Sequence, residues 1–346
     1  MASSALAPSK ADHGSDFTLL SKKIKAAGLL GRRPGYYAAR IALVSAGYVL
    51  TWFAFVLVGD SWWTLALAAS MAFVFGQMAL LAHDVAHRQV FLLRAASARA
   101  GRALGNLGIG MGYGWWQDKH SRHHANPNHE DLDPDVRPDI LVWNSGQAAQ
   151  AKGLPRLLGG RQAYLFFPLL ALEGFNLHVS GLRSLNDPAL KQRRTEALLL
   201  IGHFVLYLGA LFLVLPAGKA LLFLLVHQCL FGLYLGSIFA PNHKGMPMLS
   251  GEDRPDFLRR QVVTSRNVRG GRFVDLLLGG LNYQIEHHLF PHMPTPHLRK
   301  AQLIVRAYCQ ERHVPYAETG LIDSYRLALK SLHAAGAPLR RSRASA

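Results

Sequence analysis

Four long apolar runs interrupt an otherwise polar and basic chain. They cover about 41–58, 62–82, 197–215 and 220–240, and each is close to the roughly 20 residues that a helix needs to cross a bilayer. Only residues 59–61 separate the first two runs, and residues 216–219 separate the last two. The pattern predicts an all-α integral membrane protein with four transmembrane helices in two hairpins.

The basic residues predict the orientation of these hairpins. Lys219 is the only Lys or Arg in either short turn. Because basic residues concentrate in cytoplasmic loops, we expect both turns outside and both termini in the cytoplasm. Residues 83–196 and the chain after Pro241 are then also expected in the cytoplasm. The first 40 residues lack the apolar core of a signal peptide, so we expect none.

The remaining segments divide the chain into three parts. We predict a cytoplasmic N-terminal tail over 1–40, the main domain over 41–310 and a cytoplasmic C-terminal tail over 311–346. Residues 1–16 and 334–346 are rich in Ala, Ser, Pro and Arg and are predicted to be disordered. The apolar segment 161–182 contains Pro168, Glu173 and His178. We interpret it as an interfacial or re-entrant helix, with a fifth span as the alternative.

Composition excludes several protein classes. Half of the 346 residues are hydrophobic, 17% are charged, and the net charge is +17. These values do not fit a disordered chain, a disulfide scaffold or an ordinary soluble enzyme. The two cysteines, Cys229 and Cys309, are too few for a disulfide framework, a zinc ribbon or an iron–sulfur pattern.

The spacing of the histidines is the strongest chemical signal. Residues at i, i+3 and i+4 share one face of a helix, so each histidine cluster directs its imidazoles to one point. His243 follows the fourth apolar run in APNHKG. The clusters are HDVAH with His83 and His87, HSRHH with His120, His123 and His124, and QIEHH with Gln284, His287 and His288.

Eight imidazoles suit two metal ions of four to five ligands each. Neutral imidazole binds iron, zinc, copper and nickel. A structural zinc site takes four ligands, usually with cysteine, and a carboxylate-bridged site in a helical bundle shows Glu-x-x-His. An all-histidine dinuclear site at a membrane face points to iron and oxygen chemistry. The alternatives are structural histidines or a lipid-phosphate cluster, which Lys and Arg would serve better.

Polar residues beside the clusters are candidates for a supporting role. Asp84, Asp118, Asn242 and Glu286 are predicted to accept hydrogen bonds from imidazole N–H groups, or else to be solvated or capping residues. Gln284 is predicted to lie near the metal as a ligand, a water anchor or a spacer.

Two histidines within the apolar runs raise a haem hypothesis. His203 lies near the cytoplasmic end of the third run and His227 near the outer end of the fourth. At 1.5 Å per residue they are predicted at different depths, which favours hydrogen-bonded packing over a shared iron. His178 is either part of the active site or structural.

The three clusters and the paired apolar runs resemble the membrane fatty acid desaturase family over about residues 40–310. The resemblance implies a bundle of four spans under a cytoplasmic helical cap that holds two irons, with O2 as co-substrate. Glutamine at the start of the third cluster resembles the front-end subgroup, but the chain has no His-Pro-Gly-Gly cytochrome b5 motif. Electrons are therefore expected from a separate ferredoxin or reductase. The implied ligands are His83, His87, His120, His123, His124, His243, His287 and His288.

The resemblance implies an O2-dependent fatty acyl desaturase that inserts a double bond. A lipid hydroxylase with the same di-iron centre is the alternative. A metal-handling transporter is a third reading, although transport needs more polar groups in the spans. The substrate is acyl-CoA, acyl-carrier protein or acyl-lipid. The basic face suits membrane lipids, an acidic donor or acyl-CoA phosphates. We expect no nucleic-acid partner, and the Ala/Gly/Arg-rich composition favours a bacterial inner membrane.

Overall fold

Seventeen α-helices and two short strands follow one another in the computed structural model, which describes residues 15–344. The helices are α1 (Asp16–Ala26), α2 (Pro34–Val58), α3 (Thr64–Ala86), α4 (Arg94–Arg102), α5 (Tyr113–Ala125), α6 (Ser145–Gln150), α7 (Gly153–Leu158), α8 (Gln162–Leu170), α9 (Glu173–Ser184), α10 (Arg193–Val214), α11 (Ala217–His243), α12 (Phe257–Val263), α13 (Gly271–Leu277), α14 (Gln284–Leu289), α15 (Thr295–Glu311), α16 (Leu321–Ala335) and α17 (Ala337–Ala344). The strands are β1 (Arg266–Arg269) and β2 (Ala317–Gly320).

Four of these helices are long and apolar enough to cross a membrane. They are α2, α3, α10 and α11, with 25, 23, 22 and 27 residues. The prediction of four helices that could span a membrane is confirmed, and the chain is an integral membrane protein. The helices extend beyond the apolar runs: α2 begins at Pro34, whose fixed φ suits a first helical position, and α11 continues to His243.

The apolar segment before the third span is broken. The helical stretch Gly153–Leu170 and the helix Glu173–Ser184 are bent by 81° at a break of a few residues. Pro168 in the last turn of α8 removes a backbone donor and favours an end there. The bend agrees with the predicted interruption and gives the segment the form of a re-entrant or broken helix.

The chain divides into two compact units. Unit 1 contains the chain up to Gly31, Lys119–Phe167 and the chain from Ile238 onwards. Unit 2 contains Arg32–Asp118 and Pro168–Ser237. Unit 2 therefore holds most of the four long helices, and unit 1 holds α12 to α17 and both strands.

Aromatic rings fill the interior of unit 2. Phe75 is fully buried on α3, and its ring lies 4.6 Å from that of His227 and 5.7 Å from that of Phe231. Near the short connections between the long helices, the Lys219 ammonium lies 2.6 Å from the Asp60 carboxylate. This ion pair joins the connection after α2 to the start of α11.

The N-terminal segment belongs to the core of unit 1. Ser15 caps α1, since its Oγ accepts from the Thr18 N–H, and Leu20 and Ile24 are fully buried. They belong to the apolar cluster formed with residues of α12, α14 and α15. Disorder was expected up to residue 16, so the expectation is wrong for residues 15 and 16, and residues 1–14 lie outside the described part.

The fold is mostly helical rather than all-α. β1 and β2 form a parallel pair in which Arg266 aligns with Ala317 and Arg269 with Gly320. Extended backbone in β1 directs the buried Asn267 side chain to α14, where its Oδ1 accepts from the Ile285 N–H at 2.9 Å. The strand thus fixes the start of α14, a role that helical periodicity does not reveal.

The predicted disorder of residues 334–346 is wrong for α17. Leu339 is buried in a small cluster with Val142 and Ala148. The Arg340 guanidinium donates to the carbonyl oxygens of Gly160 and His333 at 3.1 and 2.8 Å. Leu339 and Arg340 thus hold α17 in place, although the composition of this segment predicts disorder.

We expect Ile24→Ala to destabilise unit 1 by about 2–4 kcal/mol, because it opens a cavity in a packed core. Lys25→Ala, at an exposed neighbouring position, should change stability by less than about 0.5 kcal/mol. Denaturant unfolding of both purified variants in detergent measures the difference. Equal stability of the two variants would show that α1 is not part of the folded core.

Candidate metal centre

Three elements of unit 1 present histidines to one interior region. α5 carries His120, His123 and His124, and α14 carries His287 and His288. The last residue of α11 is His243. The spacings within α5 and α14 place the imidazoles on inward faces, as the sequence predicts.

His123, His243 and His288 form one group of three nearly fully buried imidazoles. The Nε2 atom of His243 lies 3.3 Å from that of His123 and 3.1 Å from that of His288. The facing nitrogen of every ring is therefore Nε2.

The opposite nitrogen of each ring faces a fixed oxygen. His123 Nδ1 lies 2.9 Å from the Asp133 carboxylate. His243 Nδ1 lies 3.0 Å from the Thr264 carbonyl oxygen, and His288 Nδ1 lies 2.9 Å from the Gln261 Oε1. A carbonyl, amide or carboxylate oxygen accepts a hydrogen bond, so each neutral ring carries its proton on Nδ1.

That tautomer leaves three Nε2 lone pairs directed at a common point. Neutral lone pairs at 3.1–3.3 Å repel one another and cannot form hydrogen bonds together. Two nitrogens bound to one ion at about 2.1 Å would lie about 3.0–3.4 Å apart. The observed spacing and the tautomers therefore fit a shared metal cation.

A second group in unit 1 has the same character. The Nε2 atom of His124 lies 3.1 Å from that of His120 and 3.1 Å from that of His287. The two groups are neighbours, because the rings of His124 and His288 stack with centroids 4.2 Å apart. Unit 1 thus contains two adjacent imidazole groups of three members each.

The first sequence cluster lies in unit 2. His83 is buried in the last turns of α3, and His87 follows directly as its C-cap. Their ring centroids are 4.6 Å apart, and the ring of His83 lies 5.9 Å from that of Trp116. The predicted i, i+4 pairing of this cluster is therefore present.

A comparison with protein families decides the wider relationship. The family model described as fatty acid desaturase matches residues 60–320. The chain belongs to the fatty acid desaturase family. The match covers all three histidine clusters and His243, and it confirms the family resemblance drawn from the sequence.

Individual relatives of this desaturase chain carry related names. It is 32% identical over 278 residues to an acyl-lipid (9-3)-desaturase of Physcomitrium patens, covering 78% of this chain and 52% of the relative. It is 28% identical over 330 residues to a Delta(6)-fatty-acid desaturase of Caenorhabditis elegans, covering 91% and 74%. It is 26% identical over 345 residues to a Delta(8)-fatty-acid desaturase of Helianthus annuus, covering 95% and 75%. The chain thus spans about half the length of the first relative and about three quarters of the other two.

The glutamine of the third desaturase cluster lies beside the first imidazole group. Gln284 Nε2 is 2.9 Å from His243 Nε2, and Gln284 Oε1 accepts from the Asn242 side-chain amide at 3.1 Å. Asn242 also donates to the Leu281 carbonyl oxygen. Asn242 therefore orients Gln284 rather than an imidazole, and Gln284 faces the position where the lone pairs converge.

The three predicted carboxylates have different surroundings. Glu286 is fully buried, where it accepts from Asn267 and Tyr316 instead of an imidazole. Asp84, in unit 2, has one oxygen 3.6 Å from His83 Nδ1 and the other 3.5 Å from Arg40. Asp118 is exposed on α5. Of the three, Asp84 lies nearest to an imidazole, at a distance too long for a hydrogen bond.

The sequence argument misses three hydrogen-bond acceptors that orient the imidazoles, namely oxygens of Asp133, Gln261 and Thr264. Asp133 accepts from the backbone N–H groups of Asn128 and Asp135 as well as from His123. Burial raises the pKa of the Asp133 carboxyl, but the hydrogen bond from His123, the His123 charge and the Asp135 N–H together outweigh it, so the pKa lies below its ordinary value. The acidic run after HSRHH is a signal for Asp133, whereas neither Gln261 nor Thr264 has one.

The histidines inside the long helices lie outside these groups. His203 is eleven residues before the end of α10 and His227 ten residues after the start of α11, so the two residues lie at similar distances along the chain from the connection between these helices. His227 Nδ1 lies 2.6 Å from the Tyr207 hydroxyl, as expected for hydrogen-bonded packing.

We expect Asp133→Asn to lower metal affinity by roughly 10–100-fold. The substitution replaces one carboxylate oxygen, which accepts a hydrogen bond, with an amide NH2 group, which donates one. Asp139→Asn, at an exposed position on the same loop, is the matched control and should bind metal as the wild type does. Competition with a chelator on the purified proteins gives the affinities. An unchanged affinity of Asp133→Asn would show that His123 needs no carboxylate partner.

Glu286 makes stability depend on pH. Burial raises its pKa to about 7, although hydrogen bonds from Asn267 and Tyr316 oppose the shift. The unfolded chain releases this proton near its ordinary pKa, so the metal-free protein should lose stability as pH rises from about 4.5 to about 7, and should lose no more above that range.

Glu286→Gln should remove this loss, which amounts to about 2–4 kcal/mol. Thermal unfolding of chelator-treated wild type, Glu286→Gln and the exposed control Glu252→Gln at pH 5 and 7.5 measures the effect. Parallel pH dependence in all three proteins would contradict a buried, protonated Glu286.

Proposed function

We propose that the protein is an O2-dependent fatty acyl desaturase that inserts a double bond into an acyl chain. The observation that carries the proposal is the pair of adjacent imidazole groups whose Nε2 atoms converge. Membership of the fatty acid desaturase family supports the reaction class. The relatives' names differ in the position of the double bond, so we propose no position.

The proposed cofactor is a pair of iron ions held by histidine alone. Six ligands, His120, His123, His124, His243, His287 and His288, come from the two groups in unit 1. Following the family pattern, His83 and His87 complete the set. When bound, the iron pair supplies the oxidation by O2 that removes two hydrogens from adjacent, unactivated carbons.

The surrounding residues give these imidazoles one protonation state and one orientation. Asp133, Gln261 and the Thr264 carbonyl hold the Nδ1 protons, so the Nε2 atoms stay free to bind metal. Burial of His123, His243 and His288 excludes water from this side of the centre. We assign Gln284 a position beside the irons, where Asn242 fixes the direction of its amide.

The proposed membrane arrangement is two hairpins beneath a cytoplasmic helical cap that holds the irons. The ion pair between Lys219 and Asp60 supports it, because it places both short connections at the same end of unit 2. Both termini then lie in the cytoplasm. A bacterial inner membrane rests on the composition alone. We propose a separate ferredoxin or reductase as electron donor, and acyl-CoA, acyl-carrier protein or acyl-lipid as substrate.

The test is the fatty-acid profile of a desaturase-deficient bacterium that expresses the protein with an electron donor. Mass spectrometry should detect a new double bond and locate it. His124→Ala and His288→Ala should abolish the product while inserting normally. His333→Ala, which changes an exposed histidine of α16, should retain it.

The profile also separates the competing functions. A hydroxylated acyl chain in place of the double bond would favour the hydroxylase with the same di-iron centre. Equal product from the wild type and both ligand variants would falsify the proposal that these imidazoles hold the catalytic metal.

A further inference from the structure

The segment before α5 ends a helix inside the apolar unit 2. Residues Ala103–Gly108 form a π-helix that continues α4, and a short link leads from it to α5. The last carbonyl groups of a helix have no partners within it. In apolar surroundings without water, each unsatisfied group is strongly destabilising. This link therefore needs hydrogen-bond donors from elsewhere.

Side chains from three different helices supply donors to these carbonyls. Each donor reaches a different oxygen, so two carbonyls at the end of the π-helix and one in the link are satisfied. The bonds are His203 Nδ1 to the Leu107 oxygen at 2.9 Å, Tyr48 Oη to the Gly108 oxygen at 3.2 Å, and His178 Nδ1 to the Gly110 oxygen at 2.8 Å.

The centre of this arrangement is Gly110. Its φ is +68°, a conformation that favours glycine. A Cβ added there would lie 2.6 Å from atoms of both His178 and His203. The two imidazoles therefore pack directly against the Gly110 backbone, and no side chain fits between them.

A buried carboxylate holds the other end of the link. Glu196 of α10 is fully buried and forms an ion pair with the Arg102 guanidinium at 2.8 Å. Its second oxygen accepts from the Asn106 side chain and from the backbone N–H of Gly114 at 3.3 Å. Asn106 Oδ1 in turn accepts from the Tyr113 N–H at 3.2 Å. Two backbone N–H groups of the first turn of α5 thus end in this network.

We propose that Glu196, His203 and His178 are positioning residues for α5 and hence for its three histidines, His120, His123 and His124. They act by clamping the link that starts α5, a single continuous helix from Tyr113 to Ala125. Metal–ligand distances vary by only about 0.2 Å. A loosened first turn of α5 should therefore move its imidazoles out of the positions that metal binding requires. The inference rests on the metal centre proposed above.

Substitutions at Glu196 and at His203 test the two ends of the link before α5. Glu196→Gln keeps the shape of the side chain but turns one accepting oxygen into a donor and leaves Arg102 without its counter-charge. At His203, the test is a pair of variants. Its Nε2 is buried and has no hydrogen-bond partner in the described part of the chain. The asparagine amide N–H reaches about where His203 Nδ1 lies. His203→Asn therefore keeps the hydrogen bond to the Leu107 oxygen, and His203→Leu removes it.

The matched control is His227→Asn. His227 is a fully buried histidine at the same distance from the connection, but its Nδ1 contacts Tyr207 rather than the link. Asparagine preserves an acceptor for the Tyr207 hydroxyl. Each protein is purified as full chain in detergent, and only the monodisperse fraction is measured.

Two readouts are taken on that fraction. The first is iron per chain, and the second is amide hydrogen exchange over residues 113–125. Glu196→Gln and His203→Leu should hold about half or less of the wild-type iron, in line with the roughly 10–100-fold loss of affinity when a supporting group is removed. Exchange at the first turn of α5 should be faster. His203→Asn and His227→Asn should match the wild type in both.

A purely structural role predicts a different result. It would lower the yield of monodisperse protein while leaving iron per chain and α5 exchange unchanged in what remains, and that result overturns the proposal. If Glu196→Gln yields no monodisperse protein, the His203→Asn and His203→Leu pair decides. A wild type that binds no iron would count against the proposed function, whereas exchange in α5 still tests the clamp by itself.

Discussion

The site depends on one constraint: each buried imidazole of the first group has its Nδ1 proton committed to a fixed oxygen. Asp133, Thr264 and Gln261 impose that choice from three separate parts of the chain. Once it is made, the remaining lone pairs converge, and without a cation they would oppose one another inside a region that excludes water. In the proposed centre a bound metal cation would offset this repulsion, and metal binding would then be coupled to folding.

Sequence patterns predicted the parts of this structure that depend on periodicity. The four spans follow from long apolar runs, and the imidazole groups follow from i, i+3 and i+4 spacing, because both are local properties of helices. His243 had no such spacing and was included because it follows the fourth apolar run and matches the family pattern; the structure places it between His123 and His288. The i, i+4 pairing of His83 and His87 was equally local.

The failures share a different cause, namely contacts between residues distant in sequence. Gln261 is an ordinary polar residue of a short helix until α12 packs beside α14, and Glu286 faces Asn267 and Tyr316 although it adjoins a ligand. Leu339 anchors α17 because it packs with Val142 and Ala148, which lie almost two hundred residues earlier in the chain. The distance of His227 from the connection was underestimated because α11 begins at Ala217, before the apolar run, so that a distance counted from the end of the run differs from one counted along the helix.

The parallel pairing of β1 with β2 has a consequence for the order in which the site is completed during synthesis. Tyr316, next to β2, donates to Glu286 beside His287 and His288, and β2 itself supports the strand that fixes the start of α14. These partners follow the eight proposed metal ligands in the chain. When the ribosome has synthesised the last of those histidines, the residues that hold α14 in place are therefore still to be made. The order of synthesis thus separates making the eight histidines from fixing their positions, and the site is complete only once β2 has been added to the chain.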